Sequence, residues 1–238
     1  MNVLGIGAHP DDLEFLCSGT LALYRERGHE VFMAIATNGN VGSPTLSKEE
    51  IASVRHEEAS AACSVIGAHL IWMDYPDEWL FNTPEVRTRF IDAIREAKPD
   101  VMFVHGSTDY HPDHRVAGQV AIDARIPSTV RLVETSLPPA EKIPHIFIMD
   151  NVGGIEFEPE FYVDIGEVFE TKQAMLEKHA SQDSWLRHLY DMTYVEFMEI
   201  HARQRGLEAN CRVAEGFREV KTYPRTGSAA LLPGGGGA

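Results

Sequence analysis

The sequence predicts an α/β chain: a mostly parallel sheet flanked by helices, followed by a less regular C-terminal portion. Two observations carry this. Over the first 125 residues short apolar runs alternate with stretches of helical periodicity, and strands separated by helices of that length cross over and pair in parallel. The junctions also carry residues that start or stop helices.

Val3 to Ala8 is a short apolar run ending in a turn, the pattern of a strand buried on both faces. Asp12 to Arg27 places Leu13, Leu16, Leu21 and Tyr24 at helical spacing and stops at Gly28, a C-terminal glycine. Glu30 to Thr37 is the second strand. A polar loop, Asn38 to Leu46, leads to Ser47, which with Glu50 forms a capping-box pattern for a helix to about Ile66, closed by Gly67. Leu70 to Met73 is the third strand, and an aromatic and acidic loop, Asp74 to Asn82, follows. Thr83-Pro84-Glu85 opens the next helix with proline at its favoured first position. Val101 to Val104 is the fourth strand, and a fourth helix covers about 113 to 124. Beyond it, Arg131 to Glu134, His145 to Met149 and Phe161 to Asp164 read as short strands, and Ile165 to His179 and Trp185 to Arg205 as helices. Residues 1–228 read as a single α/β domain. The glycine-rich end, 229–238 and above all Leu231 to Ala238, reads as disordered.

The chain has 238 residues with 44% hydrophobic content, enough to bury a sizeable core without disulfides. Its formal charge of −15 argues against nucleic acid or an anionic membrane as partner, since phosphate binding wants a basic face. Cys17, Cys63 and Cys211 lie far apart with no CxxC spacing. They read as reduced thiols in a cytoplasmic protein, the first two packed in apolar helices. No signal peptide or long apolar segment is evident.

In an open parallel sheet, ligands bind beyond the carboxyl ends of the strands. Two loops at that edge are unusual. The first strand runs into His9-Pro10-Asp11-Asp12, and the fourth runs through His105 to Tyr110 into His111-Pro112-Asp113-His114. One His-Pro or Asp-Asp pair alone is a turn with a capped helix start. Two such motifs, about a hundred residues apart and each at a strand end, point to a metal. Catalytic zinc takes three His or carboxylate ligands and keeps a position for water. One His and one Asp from the first loop and one His from the second satisfy that count. Counting alone does not choose His114 over His111, or Asp12 over Asp11.

The segments Gly7-Ala8-His9-Pro10-Asp11-Asp12, Thr37-Asn38-Gly39, Arg55 with Glu58 and Ala59, and His111-Pro112-Asp113-His114 resemble the LmbE-like (PIG-L) family of zinc-dependent de-N-acetylases. Lys178-His179-Ala180-Ser181-Gln182 is similar to that family's later signature. The resemblance spans roughly residues 1 to 205. It implies a Rossmann-like fold, a Zn2+ cofactor and removal of N-acetyl groups from N-acetylglucosamine-type sugars or conjugates. It makes His9, Asp12 and His114 the metal ligands and Asp11 the general base. His111 becomes the oxyanion-stabilising or proton-donating group, oriented by Asp113. It also implies a homo-oligomer, trimer or hexamer, for which aromatic residues around Trp185 to Tyr194 offer an interface. Asn40 stands where many relatives carry an acidic residue.

Three further residues are candidates for substrate binding. Arg55 can hold a sugar hydroxyl or carboxylate, or pair on the helix surface with Glu57 or Glu58. Tyr110 can line the pocket or pack on the surface. Trp79 can stack on a sugar or pack against the sheet rim. His179 is a weaker candidate for reaching the site. His29, His56, His69, His145, His188 and His201 show no partner spacing and read as solvated or packed. Gly5 and Gly7 form half of a dinucleotide fingerprint, but Pro10 and two aspartates replace its remainder, which argues against NAD. Amide cleavage of a sugar–thiol conjugate and a non-catalytic metal- or sugar-binding module are the alternatives. The ligand set also accepts another divalent transition metal such as iron, cobalt or nickel.

Overall fold

A computed structural model describes residues 1–223 and 231–234, apart from the side chains of Trp185, His188, Leu189 and Tyr190. Its strands are β1 (Asn2–Gly7), β2 (Glu30–Thr37), β3 (His69–Tyr75), β4 (Val101–Val104), β5 (His145–Met149), β6 (Phe161–Asp164) and β7 (Ala214–Glu219). They form one sheet of order β3-β2-β1-β4-β5-β7-β6. The first five in that order pair in parallel. β7 runs antiparallel to both neighbours. The predicted class, a mostly parallel sheet between helices, is therefore present.

The helices are α1 (Asp12–Leu16), α2 (Ser18–Glu26), α3 (Lys48–Ile66), α4 (Pro84–Ala97), α5 (Pro112–Ala124), α6 (Phe169–Leu176), α7 (Ala180–Tyr190) and α8 (Tyr194–Glu208). Side chains alternate between two cores as a two-residue period requires. Val3, Val101 and Phe103 face one, and Leu4, Ile6, Met102 and Val104 face the other. The expected capping box at Ser47 and Glu50 is formed, and Gly67 ends α3 in the left-handed conformation. Among the described residues no helix is long and apolar enough to cross a membrane.

Five expectations are corrected. The helix over 12–27 is broken at Cys17 (φ −144°). A buried ion pair from far along the chain satisfies the freed backbone groups there. Lys172 Nζ donates to the carbonyls of Glu14 and Phe15 and pairs with Glu215, which accepts from the amides of Gly19 and Thr20. Arg131 to Glu134 is a turn rather than a strand. The buried Arg95 guanidinium gathers the carbonyls of Ser128, Val130, Val133 and Leu137, so the local chain curls around one cation instead of pairing with a ladder. The helix over 185–205 is two helices, parted where Asp191 turns left-handed (φ 53°) and Thr193 caps α8. β7 has no counterpart in the sequence reading, because its AEGFRE run mixes charges and glycine with few apolar residues. At the end of the chain Leu232 is buried and the Leu231 carbonyl accepts from the Tyr24 hydroxyl, so this part of the expected disordered tail is packed. The remainder of that expectation, 229–230 and 235–238, lies outside the described residues, as do the side chains of Trp185 and Tyr190 in the proposed interface.

Candidate metal centre

β1 and β4 are adjacent in the sheet although two strands and four helices separate them in the chain, and the strand order reverses between them. Their outgoing loops therefore part to opposite sides and leave a crevice at the carboxyl edge, the place where such sheets bind ligands. Both His-Pro-Asp segments lie there. His9 Nδ1 is 3.2 Å from His114 Nε2 and 3.5 Å from Asp12 Oδ2. His114 Nε2 is 3.1 Å from Asp12 Oδ1. Four ligands at about 2.0–2.1 Å from zinc stand roughly 3.3 Å apart in a tetrahedron, so this spacing fits one shared cation. The donor types fit as well, two imidazoles and a carboxylate. Alternative groupings share members with this one: His9, His111 and His114; Asp12, His105 and His114; and His9, Asp77 and Asp113.

Positive charge is favoured at this point. Burial works against a charged His9, but the carboxylates of Asp113, Asp12 and Asp77 outweigh it and hold its pKa well above the usual value. His114 is likewise pushed up to about 9, Asp12 and Asp109 overcoming burial. Burial opposes ionisation of Asp12, yet His114 and His105 hold it well below the ordinary carboxylate range.

The remaining imidazole atoms meet carboxylates. His9 Nε2 lies 3.0 Å from Asp77 Oδ1, and His114 Nδ1 lies 3.1 Å from Asp109 Oδ2. Such outer contacts fix the tautomer and orientation of metal-binding histidines. His105, fully buried, stacks on His114 with centroids 4.1 Å apart. Its Nε2 lies 3.1 Å from both Asp12 Oδ2 and the Ala8 amide nitrogen. Asp109, His105 and Asp77 were missed by sequence reasoning. The first two offered a signal, since they occupy the same strand-end loop as the second motif; Asp77 sits in a loop with no spacing pattern.

Asp11 is left beside this group. Its backbone adopts φ 128° and ψ −21°, a conformation that costs a non-glycine residue roughly 1–3 kcal/mol. Burial raises its carboxyl to about 6 against the pull of the Arg55 guanidinium. Tyr194 hydrogen-bonds it, and burial followed by the charges of Asp11 and Asp12 keeps that phenol protonated.

His111 stands with its ring centroid 4.7 Å from those of His9 and His114. Burial first, then the neighbouring imidazoles, press its pKa below the usual value. Asp113 does not orient it. That carboxylate accepts from the amides of Glu78 and Leu80 and so anchors the β3–α4 loop. The acidic group near His111 is instead Glu78, with Oε1 3.3 Å from Nε2.

These residues open into a cavity of about 320 Å³, whose far wall is Val41, Val152, Leu186, Tyr194 and Phe197. Tyr110 lines it while remaining 52% exposed. Trp79 is 64% exposed, packs near Phe81 and is not among the lining residues. Arg55 lines the cavity and makes no surface pair with Glu57 or Glu58; Glu58 instead accepts from Ser181 of the Lys178–Gln182 segment. His179 is buried behind the site, 3.3 Å from Glu14, and does not line the cavity. Asn40 accepts from the Asp77 amide, which gives this loop a polar role in placing Asp77.

Comparison with known proteins agrees with this architecture. A diacetylchitobiose deacetylase of Thermococcus kodakarensis is 29% identical over 92% of this chain and 82% of its own length. A 4-oxalmesaconate hydratase of Pseudomonas putida is 26% identical over 94% of this chain and 90% of its own. The structure of an N,N'-diacetylchitobiose deacetylase from Pyrococcus horikoshii superposes with a TM-score of 0.81 at 27% identity, covering 97% of this chain and 88% of that one. The family model described as PIG-L, GlcNAc-PI de-N-acetylase, matches residues 4–125, which include both His-Pro-Asp segments. With more than half of its length matched, the chain belongs to the PIG-L family.

Proposed function

We propose that the chain is a zinc-dependent hydrolase that removes an N-acetyl group from an N-acetylglucosamine-type sugar or glycoconjugate. The observation that carries this reading is the convergence of His9, Asp12 and His114 on one point, with the carboxylate of Asp11 in the wall of the same cavity. Family membership and the deacetylase relatives support it.

His9 Nδ1, the Asp12 carboxylate and His114 Nε2 would hold the ion. When bound, zinc supplies an acidified water and a Lewis-acid contact for the acyl oxygen. Asp11 takes the proton of the attacking water onto its carboxylate and returns it to the leaving nitrogen. A carboxyl raised to about 6 by burial is ionised at neutral pH yet more basic than a solvated one. His111 stands beside the metal point, where an imidazole can stabilise the oxygen on which charge develops, and Glu78 lies near its Nε2 in place of the expected Asp113. Asp77 and Asp109 hold the outer nitrogens of His9 and His114. Tyr110 lies along the path of the sugar.

The cavity's charge favours this chemistry over that named for the Pseudomonas relative. Asp11, Asp12, Asp77 and Glu78 line it, and Arg55 is its one lining Lys or Arg among the described residues. Such a lining attracts an amine product, which is cationic at neutral pH, more readily than a polyanionic substrate such as an oxalmesaconate. The unpaired Cys17, Cys63 and Cys211 support a cytoplasmic setting. Assembly into a trimer or hexamer belongs to the same proposal and is read by sedimentation.

The test is an acetate-release screen over N-acetylglucosamine, a short chitooligosaccharide and a bulky sugar–thiol amide, with and without a chelator, and with 4-oxalmesaconate hydration as control. Chelator-sensitive acetate release is expected. A larger amine yield from the bulky amide would favour the amidase reading. Zinc binding without turnover of any substrate would reduce the chain to a binding module.

A further inference from the structure

Arg55 reaches the cavity from α3, yet its guanidinium is turned onto the chain itself. It is 3% exposed. One nitrogen, Nη2, donates to the Pro10 carbonyl at 2.6 Å and lies 3.3 Å from Asp11 Oδ1. The other terminal nitrogen lies 3.9 Å from Asp77 Oδ2. The Pro10 carbonyl belongs to the peptide that precedes Asp11, and rotation of that peptide about the Asp11 N–Cα bond is the φ torsion held at 128°. Relaxing the torsion would swing the carbonyl away from Arg55. A single nitrogen thus fixes both the backbone and the carboxylate of the same residue.

The Thr37-Asn38-Gly39 segment makes room for this. Gly39 has φ 65°, and a Cβ there would lie 2.4 Å from Arg55 Nη1 and 2.6 Å from Cζ. A Cβ on Gly42 would lie 2.8 Å from the same Nη1. The guanidinium passes through a slot that exists only because both positions lack side chains.

We infer that Arg55 is a positioning residue for the general base: seated in the slot left by Gly39 and Gly42, it clamps the Pro10–Asp11 peptide in its strained turn and aims the Asp11 carboxylate. This rests on the reading of Asp11 as the base. It assigns Arg55 a task other than gripping substrate, and it gives Gly39 a reason that loop propensity does not supply.

The test compares Gly39→Ala, Arg55→Ala and their combination, each checked for zinc content. Arg55→Ala is expected to lower kcat by about 10²-fold, the scale of a misplaced reacting group, with KM within about twofold and zinc retained. Gly39→Ala should behave alike, and in the Arg55→Ala background it should add almost nothing, because the group it displaces is already gone. Arg55→Lys fills the same core volume but cannot hold both atoms, so it should lose kcat too, while guanidinium ion added to Arg55→Ala should restore part of it. A raised KM with unchanged kcat, lost zinc, or additive effects of the two substitutions would overturn the proposal. A second readout needs no turnover. Asp11→Gly should melt above Asp11→Asn, and that difference should shrink once Arg55 is alanine; an unchanged difference contradicts the clamp. If wild-type protein hydrolyses no acylated sugar, the deacetylase reading falls while this melting comparison still judges the clamp.

Discussion

The two ends of the sheet contribute different things to one cavity. The five parallel strands, with the helices between them, supply every group placed around the candidate metal point: His9, Asp11 and Asp12 after β1, Asp77 after β3, and His105, Asp109, His111 and His114 after β4. The antiparallel end and the helices beside it supply most of the opposite wall, through Val152, Gln182, Leu186, Tyr194 and Phe197, with Val41 added from the loop after β2. The chemistry is concentrated where strand order forces loops apart, and the shape is built by what packs over them. The Lys172–Glu215 pair joins the two, since it ties α6 and β7 to the break between α1 and α2, one turn beyond Asp12.

Substitutions on either side should separate these roles. The largest effect belongs to the base. Asp11→Asn is expected to keep its zinc and lose about 10²–10⁴-fold in kcat, read by parallel metal analysis and acetate release; near-full activity would remove Asp11 from the mechanism. Next comes the link between the halves. Lys172→Met leaves Glu215 buried without its cation, which should cost roughly 3–5 kcal/mol of unfolding free energy in urea titration. A loss below about 1 kcal/mol would mean that the halves are joined by apolar packing alone.

Asp109→Asn should weaken zinc binding about 10–100-fold, as expected when the carboxylate behind a metal-binding imidazole is lost, measured by competition with a chromophoric chelator. The smallest effect belongs to the far wall. Phe197→Ala should raise KM by roughly three- to tenfold through lost apolar contact while kcat and zinc content stay the same. A collapse of kcat there would move chemistry onto the antiparallel half.

The same division explains what the sequence made legible. The parallel half is written locally, in apolar runs, a capping box at Ser47 and Glu50, a glycine stop at Gly67 and two repeated motifs at strand ends. The other half depends on partners remote in sequence. The break at Cys17 is satisfied by Lys172 and Glu215, each more than 150 residues away, and the curl at 131–134 by Arg95. Neither leaves a periodic trace. Within the site, ligand types were legible but second contacts were not. Asp113 carries the same motif position that Asp11 does, yet its carboxylate accepts from the amides of Glu78 and Leu80. Which imidazole a carboxylate serves is decided by loop packing, and Glu78 came to His111 from a loop with no signature.

The account stands on a single cation shared by His9, Asp12 and His114. The direct measurement is anomalous diffraction at the zinc edge from crystals grown with the metal. One peak about 2.0–2.2 Å from His9 Nδ1, an Asp12 oxygen and His114 Nε2, with Asp11 outside bonding range, is the predicted result. A peak ligated by Asp11, or by Asp77 and Asp113 in place of Asp12 and His114, would contradict it.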